Sequence, residues 1–148
     1  MKKILIIIVT VLLICGCANK NNMTNLDINK ASSSLDNKYQ NMQTMNKDEL
    51  EVIYGLDLSL FDEYTIKSSS SANGDFYAII KVKDENKKQV QEKMNNMFKV
   101  LENQSNLYSP EAVSKLKNKL STSVGNYLIY IVSNDNNSYY DIVKGFIN

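Results

Sequence analysis

Six consecutive apolar residues, Tyr127–Val132, constrain the fold of this chain more than any other segment downstream of its N-terminus. Gly125-Asn126 precedes the run, and the polar turn Asn134–Asn137 follows it. A short run with β-branched and aromatic residues on both faces is typical of a strand that is covered on both sides. We therefore expect a central strand, which requires other strands beside it and helices packed on its faces.

A β-hairpin is the second expected part of the sheet. Tyr64–Ser68 and Phe76–Lys83 have the composition of two strands, and Asn73-Gly74 between them is typical of a type I′ turn. Residues alternate between the two faces of a strand. In the second strand, we expect the set that includes Phe76 to face the core and the set that includes Tyr77 to face a partly exposed surface.

Amphipathic segments predict helices around this sheet. They are Leu26–Met45, Lys47–Tyr54, Lys87–Gln104, a helix that opens at Pro110, and a last helix. In the second segment we expect Leu50, Val52 and Ile53 to point inward. In the helix from Pro110 the apolar side consists of Val113, Leu116 and Leu120. The expected N-caps are Asp27, Asn46, Ser109 and Ser138. Lys115, Lys117 and Lys119 are expected on a solvated face. The prediction is a single α+β domain over residues 27–148, with a small sheet of a β-hairpin plus a central apolar strand, packed by amphipathic helices.

The first residues of the chain indicate the cellular location of the protein. Two lysines precede the apolar segment Ile4–Ile14, and Cys15-Gly16-Cys17 follows it. This order is typical of a secretory signal peptide, and the segment is shorter than the ~20 residues that span a membrane. An ordinary cleavage site fits poorly, because Ile14 is large.

The end of this segment resembles a bacterial lipobox, which implies that Cys17 is acylated. We expect a signal peptide at 1–16, lipidation at Cys17 and a flexible tether over 17–26. The protein is then anchored by lipid to the outer face of the cell membrane, in a Gram-positive bacterium.

Composition narrows the chemistry. The chain has no His, its 17 basic residues are all Lys, and they nearly balance 16 acidic residues. Without His there is no Ser-His-Asp arrangement and no imidazole ligand for a metal. A nearly neutral chain without Arg is a poor partner for nucleic acid. We therefore expect no cofactor, no metal and no enzymatic activity.

Two groups of residues would favour other functions if the fold brought them together. Asp57, Asp62 and Glu63 would suit a carboxylate-based enzyme if they converged in a cleft, although a solvated loop is the simpler interpretation. A pocket lined by tyrosines would favour binding of a small ligand or a glycan. The candidates for it are Tyr77, Tyr127, Tyr130 and Tyr139.

The block from Tyr54 to Phe146 resembles the DUF4358 family of Firmicutes lipoproteins, a domain of unknown function. The matching stretches are Tyr54–Asp57, Ala78–Asp84, Tyr108–Glu111, and Gly125–Tyr127 with the apolar strand and Ser133–Asp135 after it. The resemblance implies a small exported lipoprotein and assigns no activity. Among the motif residues Tyr108, Pro110, Gly125, Asn126 and Tyr127, we expect structural roles: Pro110 starts a helix, Gly125 permits a turn, and Tyr108 packs at a helix junction.

The leading functional hypothesis is therefore a non-enzymatic interaction or accessory module of the cell envelope. Its expected partners are the membrane, through the lipid anchor, and another envelope protein or a glycan. The first alternative is a lipoprotein that binds a small ligand or a glycan. The second is the carboxylate-based enzyme.

Overall fold

The computed structural model describes residues 24–148. The predicted signal peptide, the predicted lipidation site Cys17 and the tether as far as residue 23 lie outside the described residues. The helices are α1 (Ile28–Lys38), α2 (Lys87–Ser105), α3 (Pro110–Lys117) and α4 (Asn136–Lys144). The strands are β1 (Met42–Thr44), β2 (Phe61–Ser69), β3 (Phe76–Val82), β4 (Leu120–Val124) and β5 (Tyr127–Val132). Short helical turns cover Glu49–Ile53, Leu58–Leu60 and Asp84–Asn86.

The strands form one antiparallel sheet in the order β1-β2-β3-β5-β4, and the α+β prediction is confirmed. All six residues of β5 are buried, as expected of an interior strand. It pairs with β3 on one side, where Ala78 lies opposite Tyr130, and with β4 on the other. The sheet is larger than the predicted hairpin plus one strand because β1 and β4 extend its two edges.

Helices cover both faces of the sheet, which creates two cores. On one face Phe76, Ala78 and Ile80 pack with Met94 and Phe98 of α2. On the other face Tyr77 and Ile79 pack with residues of α1 and α4, among them Leu35 and Val143. The prediction that the Tyr77 face is partly exposed is therefore wrong for Tyr77 and Ile79. The amphipathic helices at the two ends of the chain both pack on that face.

Two predicted helices end earlier than expected. The first stops at Lys38 rather than Met45, and Met42 starts β1 after Asn41, whose φ is 59°. The helix from Pro110 stops at Lys117, so Leu120 opens β4 and is not part of the helical apolar face. In both places the last apolar residue of the helical pattern pairs with a neighbouring strand.

The hairpin connection also differs from the expectation. β2 and β3 are joined by residues 70–75, and Asn73 does not have the positive φ that a type I′ turn requires, because Asn41 is the only non-glycine residue with positive φ within residues 24–148. Gly74 has a φ of 77°, and a Cβ there would lie 2.8 Å from the Cα of Ala112. This glycine lets the connection lie directly against α3.

The caps are partly as predicted. The carboxylate of Asp27 accepts from the Lys30 N–H, and the Ser109 hydroxyl accepts from the Ala112 N–H. The last helix is capped by Asp135 and not by Ser138, whose own N–H donates to that carboxylate.

The segment around residue 50 forms only a single wide helical turn. Leu50 is buried, but Val52 is 82% exposed and Ile53 is exposed too, so their predicted inward position is wrong. The side chain of Asn46 accepts from the Asp48 N–H, which agrees with its predicted capping role.

Residues before the predicted domain boundary at residue 27 already belong to the fold. Leu26, assigned from sequence to the tether, is only 2% exposed and bridges to Ile147. The backbones of Asn25 and Asn148 exchange two hydrogen bonds of 3.1 and 2.8 Å. The end of the predicted tether is therefore part of the fold, held by the C-terminus.

Candidate functional site

A cleft of about 450 Å³ opens where the β2–β3 connection, the end of α2 and the start of α3 meet. Its apolar lining consists of Ala72, Phe76, Leu101 and Leu116. Polar lining from the strand side is Ser68, Ser69, Ser71 and Asp75, and from the helix side Gln104, Ser105, Tyr108 and Ser109. Clefts of roughly 300–1,000 Å³ that combine apolar walls with a few polar groups are the usual form of small-ligand sites.

The exposed aromatic residue at this cleft is Tyr108, which is 82% exposed, whereas Phe76 is buried. The expectation that Tyr108 packs at a helix junction is therefore wrong. The N–H groups of Tyr108 and Ser109 both donate to the carbonyl of Ser105, at 3.0 and 2.8 Å. This tight turn joins α2 to the N-cap of α3 and leaves the intervening side chains, Leu107 and Tyr108, in solvent.

A nearly buried ion pair supports the cleft from below. The ammonium of Lys115 lies 3.0 Å from Asp75 Oδ1, and their side chains are only 8% and 17% exposed. Asn73 donates its side-chain amide to the other carboxylate oxygen at 2.9 Å. The predicted solvated face is therefore wrong for Lys115, because the β2–β3 connection folds over it. Lys117 is exposed as expected.

The neighbouring Lys119 is also partly buried. Its ammonium lies 4.0 Å from Glu102 of α2 and 4.9 Å from the centre of the Phe98 ring. These contacts tie the end of α3 to α2 and account for a cation at a position that the sequence assigned to solvent.

The predicted carboxylate group does not converge. Asp57 accepts from the Ser59 N–H at 3.1 Å and caps a short helical turn. Asp62 and Glu63 are exposed on β2, and neither lines the cleft. These acids are solvated, as the simpler interpretation of the sequence expected.

The four tyrosines proposed for a binding pocket belong to the cores instead. Tyr77, Tyr127 and Tyr130 are among the most deeply buried side chains. Tyr139 packs against Tyr39, with ring centres 4.2 Å apart. None of the four lines the cleft, so the tyrosine pocket expected of a ligand-binding protein is not formed by these residues.

A polar network under α1 resembles a proton-transfer chain but is structural. Tyr77 donates to Asp36 Oδ1 at 2.7 Å, Ser32 Oγ lies 2.8 Å from the same hydroxyl, and Lys67 is 2.5 Å from Asp36 Oδ2. Burial, followed by the bond to Asp36, raises the pKa of Tyr77 well above its usual range. A hydroxyl held in its protonated form at neutral pH is unsuited to act as a base.

The remaining motif residues lie in two places. Pro110 occupies the first turn of α3, as predicted, directly after the cleft residue Ser109. Gly125, Asn126 and Tyr127 lie at the opposite end of β3. Gly125, with a φ of 52°, and Asn126 form the two-residue turn between β4 and β5. The hydroxyl of the buried Tyr127 donates to Asn25 Oδ1 at 3.3 Å. Their structural roles agree with the expectation.

The cleft and Thr24, the first described residue, lie near opposite ends of β3. Phe76, the first residue of β3, lines the cleft, while the N–H of Val82, the last, donates to the carbonyl of Asn126. A Cβ at Gly125 would lie 2.9 Å from Thr24. Six residue steps of a strand span ~20 Å, so the cleft faces away from the end where the chain enters the fold.

Two structural features are absent from residues 24–148. This part of the chain holds no cluster of three or more His, Cys, Asp or Glu side chains able to bind a metal ion. None of its helices combines the length and apolar character that crossing a membrane requires.

Sequence reasoning missed the cleft because its lining comes from three separate segments. The one signal that pointed to it is the stretch Tyr108–Glu111, which the resemblance had singled out but to which a packing role was assigned. The serines of the β2–β3 connection show no periodicity, and their position is set by the contact of Gly74 with α3.

Comparison with known proteins gives one family. The family model described as a domain of unknown function (DUF4358) matches residues 33–133. The match begins before the predicted block 54–146 and ends at the close of β5, so it includes the cleft and most of α1. The chain matches no curated protein and no solved structure.

Proposed function

We propose, since the chain belongs to the DUF4358 family of domains of unknown function, that it is a lipid-anchored accessory protein that binds a component of the cell envelope. In this proposal it is an exported lipoprotein of a Gram-positive bacterium of the Firmicutes type, and its domain is not an enzyme. The observation that carries the binding role is the cleft beside Tyr108, at the end of the domain remote from Thr24.

The anchoring part of the proposal is supported by the N-terminal sequence. The lysines, the apolar segment Ile4–Ile14 and Gly16 before Cys17 have the order of a lipoprotein signal. A tether from Cys17 would hold the domain by the end where Thr24 meets the β4–β5 turn. The cleft would then face away from the membrane, toward other envelope components.

The anchoring part is tested by replacing the acylated residue. Cells that produce the Cys17→Ala variant are grown with a fatty-acid analogue and then fractionated. We expect the wild-type chain to carry the label and sediment with membranes, and the variant to lose both properties. Cys15→Ala is the matched control and should behave as wild type. Labelling of the Cys17→Ala variant would contradict the proposal.

The binding part is tested with a photo-crosslinking residue in intact cells. A benzophenone side chain at position 108 should form an adduct with whatever occupies the cleft, whether protein or glycan. The same side chain at Lys88, exposed near the start of α2, is the control. Adducts at position 108 and none at position 88 are expected; none at either position, or equal yields at both, would contradict a binding role for the cleft.

A second candidate function, a receptor for a small soluble ligand, is favoured by the concave form and the volume of the cleft. It predicts that the wild-type protein purified from cells carries a small molecule that is released on denaturation. Mass spectrometry of the released fraction separates this candidate from binding to an envelope polymer.

A further inference from the structure

We infer that the cleft holds an uncharged sugar ring, which stacks against Tyr108 and hydrogen-bonds to the hydroxyl and amide groups around it. The inference rests on the proposed binding function and specifies its ligand class. Three properties of the cleft lead to it: the charge of its lining, the mixture of its polar and apolar groups, and the exposure of its aromatic ring.

The charge of the lining points to a neutral ligand. Asp75 is the only residue in the lining of the cleft that carries a charge at neutral pH, and Lys115 neutralises it at 3.0 Å. A cationic ligand would have to compete with Lys115 for this carboxylate, and an anionic ligand would approach the carboxylate with no free cation in the lining. An uncharged ligand has neither cost.

The lining contains both apolar and hydrogen-bonding groups, which suit the C–H faces and the hydroxyl groups of a sugar ring. Ala72 and Leu101 present apolar surface above the buried side chains of Phe76 and Leu116, and this surface forms walls that match the C–H faces of the ring. Hydroxyl and amide groups surround these walls and match its hydroxyl groups, because each can both donate and accept a hydrogen bond. A purely apolar ligand, such as an acyl chain, would leave these groups without water or a partner.

Several of the polar groups are already used by the fold. The hydroxyls of Ser69 and Ser71 lie 2.6 Å apart, and the Ser109 hydroxyl caps α3. We therefore assign the contacts with the sugar to Ser68, Ser105 and the side-chain amide of Gln104. Gln104 is held in place at its carbonyl oxygen by the Tyr54 hydroxyl, at 3.5 Å.

The aromatic ring completes the site. The side chain of Tyr108 is 82% exposed at the cleft, although the ring is one of the largest apolar surfaces a residue can carry. An exposed, flat ring beside hydrogen-bonding groups is suited to stacking on the apolar face of a sugar. Leu107, 75% exposed on the same turn but not part of the lining, provides a matched control.

The test is direct binding by the full-length chain purified from membranes in detergent. The probes are uncharged oligosaccharides of N-acetylglucosamine, glucose, galactose and mannose, with oligomers of glucosamine and of galacturonic acid as charged probes. We expect at least one neutral oligosaccharide to bind with a Kd on the order of 1 mM or tighter. The charged oligomers should bind at least several-fold more weakly, measured by calorimetry.

Variants locate the site. Tyr108→Ala should weaken binding by about tenfold, which corresponds to about 1.4 kcal/mol of lost stacking, whereas Tyr108→Phe, which keeps the ring, should stay within about threefold of wild type. Leu107→Ala should bind as wild type does. Because both positions are exposed, circular dichroism should show the same folded spectrum for all three variants.

The inference is overturned if no neutral oligosaccharide binds, if Tyr108→Ala binds as well as wild type, or if the charged oligomers bind better. A fatty acid or an apolar peptide that binds in a Tyr108-dependent way, with no binding of sugars, would overturn the ligand class and leave the proposed binding role intact. Failure of the crosslink at position 108 in cells would instead reject the binding role itself.

Discussion

At the scale of single residues, the ion pair under the cleft is the contact whose contribution to stability is easiest to isolate. Lys115 and Asp75 are nearly buried and share no helix, so the pair joins α3 to the β2–β3 connection. Removing one partner of such a pair leaves an uncompensated charge in a poorly solvated place. Lys115 thus supports the cleft, although the sequence pattern that it shares with Lys117 predicts a solvent-exposed side chain.

The first prediction concerns this pair. Lys115→Met should lower the free energy of unfolding by roughly 3 kcal/mol, because Asp75 then stays buried without its cation. Lys117→Met on the same helix is the matched control and should change it by less than about 0.5 kcal/mol. Urea denaturation of both variants measures the difference, and equal stabilities would show that the pair contributes nothing.

Buried tyrosines make stability sensitive to alkali. Burial raises the pKa of both Tyr54 and Tyr130 to about 12, against about 10 in an unfolded chain. In the unfolded chain these hydroxyls ionise first, so the stability due to their protonated form is complete below pH ~10 and is lost as the pH rises from 10 to 12. We expect the free energy of unfolding to fall over this range.

The matched variants for this second prediction are two Tyr→Phe changes. Tyr130→Phe should reduce the steepness of the decline between pH 10 and 12, because it removes one of the ionisations. Tyr108→Phe, whose side chain stays in solvent, should leave the decline as it is in wild type. Urea denaturation at several pH values measures both, and an unchanged slope for Tyr130→Phe would contradict the prediction.

At the scale of elements, strands with strong local patterns were predictable and edge strands were not. β5 is a continuous apolar run and β3 is apolar except for Lys81, so any fold must bury most of both strands. β1 has three residues, and β4 reads Leu-Ser-Thr-Ser-Val, which the helical pattern before it masks. Both become strands because their backbones hydrogen-bond to β2 and β5, which is a property of the assembled sheet.

The third prediction tests the interior position of β5. Ile131→Ala should cost about 2–5 kcal/mol of stability, since the strand pairs with both β3 and β4 and the side chain is fully buried in the core under α1 and α4. The same substitution at Ile53, which is exposed, is the control and should cost less than about 0.5 kcal/mol. Thermal or urea unfolding compares the two, and a small loss for Ile131→Ala would contradict the paired position of the strand.

At the scale of the whole molecule, the two ends of the described chain close the fold together. Leu26 bridges to Ile147, and the backbones of Asn25 and Asn148 are hydrogen-bonded to each other. Both ends pack on the face of the sheet that α1 and α4 cover. These contacts stabilise the core that contains Leu35 and Val143, which lies on the side of the sheet opposite the core that contains Phe76.

The fourth prediction follows from this closure. A fragment of residues 24–148 should unfold in one cooperative transition. A fragment of residues 28–148 should be less stable by about 2–3 kcal/mol or more, because it loses the burial of Leu26 and the backbone bonds of Asn25. Equal stability of the two fragments in urea would contradict this prediction and would agree with the tether expected from the sequence over residues 17–26.

The sequence by itself determined what depends on neighbours along the chain. The interior strand β5, the long helix α2, the caps Asp27 and Ser109 and the two-residue turn at Gly125 follow from periodicity and local hydrogen bonding. The family match agrees with the resemblance found in the motifs, and α+β is the fold class that these elements imply.

Only the tertiary structure decided what depends on contacts between distant segments. The burial of Lys115, the exposure of Tyr108, the edge strands and the covered face of β3 all result from where other segments pack. The cleft is the clearest case, since three segments from residues 68 to 116 meet there. A local sequence pattern indicates whether a residue suits burial, but not which other residue covers it. A binding site depends on those contacts between distant segments.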